Sequence, residues 1–279
     1  MLFIALHQER GDEILSTYVM SDIHGCYSIF RKMLQTIRFS LEDELIIAGD
    51  YIDRGEQNLE MLKWIEKAIV QKNITCLCGN HDREFVRYID LMEMAASRFI
   101  SKEIDDTNKL TKIMYELTEC YLQDEMFDRY QTIHQLIWNK GVTFHELRRW
   151  ADMITTMQYV KKIVIDNRRF IVVHAGYTES LEGMETKQQF DSLEDFYLYA
   201  REDAYQKGGM DDAIIIAGHS PTITKKCFTF NHGEVFKYID KNRNCTFYCI
   251  DCGCSYAKQS EFARLSCIRL EDETIFYVD

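Results

Sequence analysis

Short apolar runs alternate with helix-like segments in the first third of the chain. Residues 17–20, 45–48 and 74–78 are β-prone apolar runs. Residues 27–37 can form a helix after the first run, and residues 59–69 carry apolar side chains at i, i+3/i+4 spacing. This strand–helix alternation predicts parallel, buried strands with helices on the faces of the sheet.

The segment from about residue 84 to residue 160 has a different pattern. It is rich in Glu, Met, Leu, Arg and Tyr and contains a single glycine, Gly141. Apolar residues recur at helical spacing at Phe85, Ile89, Met92 and Ala96. We interpret the segment as a helical cap inserted into a single domain that spans residues 1–279, although an ordinary outer layer of helices would give the same pattern.

Two apolar runs, residues 170–173 and 213–217, follow the cap. The tail then alternates in residues 245–250, 263–270 and 274–278, which predicts a second sheet of antiparallel hairpins. Two sheets packed face to face, with helices outside, would bury most of the apolar residues. The fold class is therefore predicted to be α/β.

Five of these apolar runs stop at a residue that can bind a metal ion. The segments read SDIHG (21–25), GDYIDRG (49–55), GNHD (79–82), HAG (174–176) and GHSP (218–221). Ligands of open α/β sheets gather outside the carboxyl ends of the strands. We therefore expect the polar residues of the five segments to meet at one place.

The candidate ligands combine carboxylate, amide and imidazole groups, a mixture that suits Mn²⁺, Fe²⁺ or Zn²⁺ better than Ca²⁺. They are Asp22, His24, Asp50, Asn80, His174 and His219. Asp50 offers two carboxylate oxygens and can bridge two ions. Taken singly, Asp22 and Asp50 could instead be helix caps, Asn80 a turn residue and His174 a core histidine. The order of the five segments along the chain favours a shared site.

The formal net charge of −12 disfavours nucleic acid and anionic membranes as partners. Two divalent cations and a pair of arginines would reverse the potential inside one pocket, so an anionic substrate remains compatible with the acidic chain.

The apolar run at residues 2–6 is too short for a signal peptide. We therefore expect a cytoplasmic protein whose ten cysteines are mostly reduced. Cys245, Cys249, Cys252 and Cys254 could bind a second zinc, but reduced thiols are the simpler interpretation. The sequence does not indicate an oligomeric state.

These motifs resemble the phosphoprotein phosphatase branch of the calcineurin-like metallophosphoesterases, which includes bacterial serine/threonine protein phosphatases. The pattern of that family is GDxHG, GDxxDRG, GNH(E/D), HxG and GH, and Ser21 replaces its first glycine. The resemblance implies a four-layer α/β-β/α sandwich around two divalent metal ions. One ion would take Asp22, His24 and Asp50, and the other would take Asp50, Asn80, His174 and His219.

The resemblance also implies roles for four residues near the metals. His81 falls at the position of the general acid, and Asp53 at that of its orienting carboxylate. Arg54 falls on a phosphate-binding arginine, and its neighbours Asp53 and Gly55 favour that role over a surface salt bridge. Arg201 fits the second phosphate-binding arginine within a degenerate block. The attacking group would be a hydroxide bridging the two metals.

The function that follows is metal-dependent hydrolysis of phosphomonoesters. The leading interpretation is a serine/threonine protein phosphatase, with tyrosine as a further target, that uses two Mn²⁺ ions; Fe²⁺ and Zn²⁺ are alternatives. A dinucleoside tetraphosphate hydrolase, or another small-molecule phosphatase, shares every motif and is the main alternative. A binding protein that keeps the fold without catalysis is a third. The substrate is accordingly either a phosphoprotein or a small phosphoester, and the cap is expected to decide which.

Overall fold

The computed structural model describes residues 15–99, 107–122, 127–225 and 229–279. The expectation about a signal peptide concerns residues 2–6, which lie outside these ranges. Parts of the predicted cap, residues 100–106 and 123–126, also lie outside them.

The first sheet is built from both ends of the chain. Its strands are β1 (Thr17–Met20), β2 (Glu44–Ile47), β3 (Ile74–Cys76), β9 (Leu265–Arg269) and β10 (Ile275–Val278), in the order β10-β9-β1-β2-β3. Strands β1, β2 and β3 are parallel. Helices α1 (Tyr27–Thr36) and α2 (Asn58–Ala68) form the crossovers between them, so the predicted strand–helix alternation is confirmed.

The second sheet comes from the middle of the chain. Its strands are β4 (Val160–Ile165), β5 (Arg168–Val173), β6 (Ala213–Ala217), β7 (Phe236–Asp240) and β8 (Cys245–Cys249), in the order β4-β5-β6-β8-β7. Strands β5, β6 and β8 are parallel, and the two outer strands pair antiparallel with their neighbours. The carboxyl ends of β5, β6 and β8 therefore share one edge.

The prediction that the tail forms a sheet of its own is wrong. Strand β8 pairs with β6 in the second sheet, whereas β9 pairs antiparallel with β1 and β10 extends the first sheet. The reason is that alternation identifies a strand but not its partner. Ile268 of β9 packs between the two sheets, and it does so opposite Val19 of β1, which is far away in sequence.

Helices dominate the segment between β3 and β4. They are α3 (Asn80–Phe99), α4 (Thr107–Leu122), α5 (Phe127–His134), a π-helical turn (Gln135–Asn139) and α6 (Phe144–Thr155). Two short helices, α7 (Leu193–Tyr199) and α8 (Glu202–Gln206), lie between β5 and β6. The division of the chain into one domain with an inserted cap stays a prediction.

Three apolar clusters separate the layers of the fold. Val19 of β1 and Val172 of β5 lie in the cluster between the two sheets. Met20, the next residue of β1, belongs to a second cluster that contains Trp150 of α6. Phe196 of α7 packs in a third cluster on the other side of the second sheet. The layers therefore run helices, sheet, sheet, helices, which is the predicted four-layer α/β arrangement.

Among the described residues, no helix is both long and apolar enough to cross a bilayer.

Helix α6 begins with a capping box that offers a test of the fold. Thr143 accepts a hydrogen bond from the Glu146 backbone N–H at 3.3 Å, and the Glu146 carboxylate accepts one from the Thr143 backbone N–H at 2.9 Å. Thr143→Ala should lower the free energy of unfolding by about 1 kcal/mol, as measured by urea denaturation. Thr155→Ala, at the exposed end of the same helix, should change it by less than about 0.5 kcal/mol. Equal midpoints for wild type and Thr143→Ala would contradict this account.

Candidate metal centre

The carboxyl ends of five strands deliver the predicted ligands to one place. Asp22 follows β1 and Asp50 follows β2, while Asn80 begins the helix after β3. His174 comes directly after β5 and His219 follows β6. All five are at most 9% exposed. Two sheets packed face to face thus bring together side chains that span about two hundred positions of sequence.

The loops that carry these residues have an unusual backbone. Asp22, His24, Asp50 and His219 all have positive φ values, of 54°, 47°, 55° and 69°. Left-handed residues other than glycine are uncommon and cost of order 1–3 kcal/mol each. Such conformations persist only where the surroundings hold them. They turn each side chain from the strand end into the gap between the loops.

Close approach explains the glycine that precedes His219. A Cβ on Gly218 would lie 1.9 Å from Asp22 Oδ2 and 2.2 Å from Ser21 Oγ. Any side chain at this position would therefore displace Asp22. The His219 backbone N–H donates to the same Asp22 oxygen at 3.0 Å, which ties the loop after β6 to the loop after β1.

The first group that could hold a metal ion contains His24, Asp50 and His81. His24 Nε2 lies 3.4 Å from Asp50 Oδ2 and 3.9 Å from Asp22 Oδ1. His24 Nδ1 lies 2.8 Å from the Ile52 carbonyl oxygen, which can only accept, so Nδ1 carries the proton. The lone pair of the neutral ring is therefore on Nε2, which lies beside the two carboxylates and accepts a hydrogen bond from Arg54 Nη1 at 3.0 Å; this is the nitrogen available to a metal ion.

The second group contains Asp50, His174 and His219. Asn80 joins it, because its Oδ1 lies 2.9 Å from His174 Nε2 and 3.0 Å from His219 Nδ1. His174 Nδ1 faces the Ala48 carbonyl oxygen at 2.8 Å, so the lone pair of this ring is on Nε2. Two acceptors, Asn80 Oδ1 and His174 Nε2, thus face each other. A cation between them would satisfy both, so this donor set fits a metal ion.

Charge in the centre supports the same conclusion. Burial raises the pKa of Asp50 well above its usual value, and repulsion from Asp22 raises it further. Burial lowers the pKa of His24 well below its usual value, and the charge of Arg54 lowers it further. Burial lowers the pKa of His219 in the same way, and His174 is the next cause. Neutral imidazole is the form that binds metals, and bound cations would relieve the repulsion between the carboxylates.

His81, the third member of the first group, lies on helix α3. Its Nδ1 is 2.6 Å from Asp53 Oδ2, and both residues are buried. Arg54 is exposed, and its guanidinium lies 3.0 Å from His24 Nε2 and 3.0 Å from His81 Nε2. Asp53 and Arg54 both have positive φ, at 73° and 67°. The structure therefore brings the predicted acid, its carboxylate partner and a guanidinium together at one edge of the centre.

Arg201 lies beside the second group. Its Nη1 donates to the His219 carbonyl oxygen and to Ser220 Oγ, both at 3.3 Å. The residue is exposed and precedes helix α8. Of the two predicted arginines, one thus contacts the first group and the other contacts a residue of the second.

The structure contradicts two of the simpler interpretations of single residues. Cys26 caps α1 and Gln57 caps α2, so neither Asp22 nor Asp50 is a helix cap.

Among the described cysteines, the four of the sequence cluster are free and buried. No group of described residues that could hold a metal ion includes any of these four cysteines. The four are Cys245, Cys249, Cys252 and Cys254.

Sequence reasoning missed the role of Asp82. This carboxylate is fully buried and accepts three backbone N–H groups, from Gly79 at 2.8 Å, Asp50 at 2.8 Å and Tyr51 at 3.2 Å. It therefore joins the loop of Asp50 to the loop of Asn80. Burial, and then Asp50, raise the pKa of Asp82 to about 7. Asp82 is the last residue of the GNHD motif, but the motif does not reveal which backbone groups donate to its carboxylate.

Two further carboxylate contacts lie near the centre. Asp251 follows β8, is 4% exposed and accepts the Gly253 N–H at 2.9 Å. Burial raises its pKa well above the usual value, and Asp22 is the next cause, so Asp251 lies within the field of the centre. Ser21, the departure from the motif, donates its hydroxyl proton to Asp22 Oδ2 at 2.5 Å.

Comparison with known proteins identifies the motifs. The model for the calcineurin-like phosphoesterase family matches residues 15–249. The symmetrical bis(5'-nucleosyl)-tetraphosphatase of Wigglesworthia glossinidia brevipalpis is 41% identical over 101 residues, which are 36% of this chain and 33% of that protein. The enzyme of the same name from Haemophilus ducreyi is 27% identical over 154 residues, which are 53% and 51% of the two chains.

A solved structure of a protein serine/threonine phosphatase from Saccharomyces cerevisiae superimposes with a TM-score of 0.52 at 11% identity, covering 95% of this chain and 80% of that one. At this identity the likeness concerns the fold alone. The aligned parts of the two curated relatives amount to 33% and 51% of their length. The matches therefore establish the family of the chain but do not establish its substrate.

The three hydrogen bonds of Asp82 can be tested by a single substitution. Asp82→Asn replaces one acceptor oxygen by an NH₂ group, so at least one backbone N–H would face another donor. We expect the free energy of unfolding to fall by about 1–3 kcal/mol. Since Asp82 orients the loops of Asp50 and Asn80, Mn²⁺ affinity measured by calorimetry should fall about 10–100-fold.

The matched control is Asp90→Asn, on the exposed side of the same helix α3, where the carboxylate is 59% exposed and pairs with Arg148. This variant should bind Mn²⁺ like the wild type. An unchanged Mn²⁺ affinity in Asp82→Asn would show that Asp82 does not orient the ligand loops.

Proposed function

Since the chain belongs to the calcineurin-like phosphoesterase family, we propose that it hydrolyses dinucleoside tetraphosphates with the help of two divalent metal ions. The observation that carries this proposal is the similarity to two curated relatives that are both symmetrical bis(5'-nucleosyl)-tetraphosphatases. It favours the small-molecule alternative over the serine/threonine protein phosphatase that the motifs suggested first. The buried free cysteines support the expected reducing, cytoplasmic location.

Two buried groups of donors would hold the metal ions. One ion would take Asp22, His24 and Asp50, and the other would take Asp50, Asn80, His174 and His219. The mixed oxygen and nitrogen donors suit Mn²⁺, with Fe²⁺ and Zn²⁺ as alternatives. Ions bound there would supply Lewis acidity and activate water for attack on phosphorus.

Two arginines would bind the phosphate chain. Arg54 lies on the side of the centre that contains His24 and His81, and Arg201 lies on the side that contains His219. A planar guanidinium can hold two phosphate oxygens at once. A tetraphosphate extends beyond the phosphorus under attack in both directions, so arginines on opposite sides of the centre suit it better than they suit a single phosphate group.

Two half-buried tyrosines flank the centre in the same way. The Tyr256 ring lies 5.8 Å from the Arg54 guanidinium carbon, and the Tyr199 ring lies 6.4 Å from the His219 ring. Nucleobases bind well against aromatic side chains because each has a π-face. A dinucleoside polyphosphate has one base at each end, so an arginine and a tyrosine on each side match its pattern of charge and aromatic surface.

His81 would deliver a proton to the leaving oxygen. Asp53 accepts from its Nδ1, which fixes the ring and favours the charged imidazole. His81 Nε2 then faces the centre and Arg54. The alkoxide of serine is a poor leaving group and needs this proton. The phosphate oxygen of a nucleoside diphosphate is far less basic and needs it less.

A substrate panel with Mn²⁺ supplied tests the proposal directly. We expect kcat/KM for diadenosine tetraphosphate to exceed that for phosphoserine and phosphothreonine peptides by at least about tenfold. Symmetrical cleavage should give ADP as the nucleotide product, measured by chromatography. The reverse order of substrates would support the protein phosphatase. Full metal content without hydrolysis of any substrate, p-nitrophenyl phosphate included, would support a binding protein that lacks catalysis.

The leaving group tests the role of His81. His81→Asn should lower kcat for a phosphoserine peptide by about 10²–10⁴-fold, because a general acid contributes that much when the leaving group is basic. The loss should be smaller for p-nitrophenyl phosphate and for diadenosine tetraphosphate, whose leaving oxygens depart without full protonation. His145→Asn, at an exposed position on α6, is the control and should keep full activity. Equal losses on all three substrates would exclude the acid role.

A further inference from the structure

The loop that carries Asp53 and Arg54 is strained. Both residues have positive φ, at 73° and 67°, and Gly55 follows them. Consecutive left-handed residues other than glycine persist only where the surrounding structure holds them. The arginine proposed to bind phosphate therefore depends on whatever fixes this loop.

Asn58 is the first support of the loop. It is 2% exposed, and its Oδ1 accepts the Asp53 backbone N–H at 3.0 Å while its Nδ2 donates to the Gly55 carbonyl oxygen at 2.9 Å. Asn58 is also the first residue of α2, so the two bonds tie the loop to that helix. The backbone holds the loop as well, because the Gly55 N–H donates to the His24 carbonyl oxygen at 3.0 Å.

Gln135 supplies an anchor from a distant part of the chain. Its Oε1 accepts from Asn58 Nδ2 at 2.9 Å, and its Nε2 donates to the Glu56 carbonyl oxygen at 3.0 Å. One amide thus holds the loop at two points, from 77 and 79 residues away. Gln135 begins the π-helical turn that ends at Asn139, and such turns are frequent at functional sites.

The turn that carries Gln135 is fixed independently of its amide. The next two residues, Leu136 and Ile137, are 0% and 2% exposed and belong to the cluster between the helices and the first sheet. Removal of the Gln135 amide would therefore leave the turn in place and release only the loop. Because the amide and the packing are separate, an experiment can distinguish a positioning role of Gln135 from a role in folding.

We propose that Gln135 is a positioning residue that holds Arg54, through Asn58 and the Glu56 carbonyl, at the edge of the metal centre. The proposal rests on the phosphate-binding role proposed for Arg54. The helical segment between β3 and β4 thereby acts on phosphate binding through one amide, in addition to shaping the mouth of the site.

The experiment measures binding of inorganic phosphate by calorimetry, together with kcat and KM for p-nitrophenyl phosphate, in the Mn²⁺-supplied protein. Gln135→Leu removes both hydrogen bonds at similar side-chain volume. We expect it to weaken phosphate binding by about tenfold and to lower kcat/KM similarly, because a small displacement of a binding group is costly. A role limited to folding would instead reduce the active fraction, hence kcat, and leave the phosphate dissociation constant unchanged.

A double-mutant cycle with Arg54→Ala decides whether the effect passes through Arg54. In the Arg54→Ala background, Gln135→Leu should change phosphate binding by less than about twofold, because the group it positions is gone. The same fold-loss in both backgrounds would overturn the proposal. So would unchanged phosphate binding in Gln135→Leu alone.

Two further variants complete the design. Asn139→Leu removes an exposed amide from the same π-helical turn and should leave phosphate binding unchanged. Gln135→Glu keeps the acceptor for Asn58 but cannot donate to the Glu56 carbonyl, so an intermediate loss is expected; this variant carries the cycle if Gln135→Leu does not fold. Because the probe is phosphate alone, the outcome does not depend on whether dinucleoside tetraphosphates are substrates.

Discussion

Burial of several carboxylates in one small volume is the constraint on which the rest of this structure depends. Asp22, Asp50, Asp53, Asp82 and Asp251 are each at most 4% exposed. A buried charge is costly unless it is paired or hydrogen-bonded. Backbone N–H groups offset part of this cost by donating hydrogen bonds, three of them to Asp82. The positive charge of Arg54, at the edge of the centre, offsets another part. The remaining negative charge, beside the neutral imidazoles of His24 and His219, matches what two divalent cations would neutralise.

The same constraint explains the backbone. The loops bond to one another across the site as well as to their own strands: the Asp22 N–H donates to the Gly49 carbonyl, the His24 N–H to the Asp50 carbonyl, and the Gly218 N–H to the His174 carbonyl. Each loop therefore reaches its strained, left-handed conformation only when its neighbours are in place. The packing of apolar residues between the two sheets offsets the cost of these strained loops.

The sequence predicted the parts of this arrangement that are local. A strand that stops at Asp50 can be recognised within a few residues, and the periodicity of α2 or α3 within two turns. What could not be predicted is non-local. The pairing of β9 with β1 depends on which edge is free in the folded sheet. Two of the three donors of Asp82, the N–H groups of Asp50 and Tyr51, come from another loop. The amide of Gln135 meets Asn58 only because the helical segment folds back over α2. Motifs identify candidate ligands and catalytic residues. The residues that position them do not lie at a fixed sequence distance from a motif, so no pattern reveals them.

Substrate choice belongs to the non-local part for a physical reason. In the proposed mechanism the metal ligands, His81 and Arg54 would act on the phosphorus under attack, and that phosphorus is similar in a phosphoserine and in a tetraphosphate. One fold can therefore serve both reactions. Discrimination must come from groups that reach what lies beyond the reacting phosphate: the arginine on the far side of the centre, the tyrosines that flank it, and the helical segment above it. A substrate with a base at each end can use contacts on both sides at once, and each contact made in the transition state adds to its advantage. A peptide phosphate engages one phosphate position only, so an aromatic and a basic group on both sides favour the longer, doubly ended substrate.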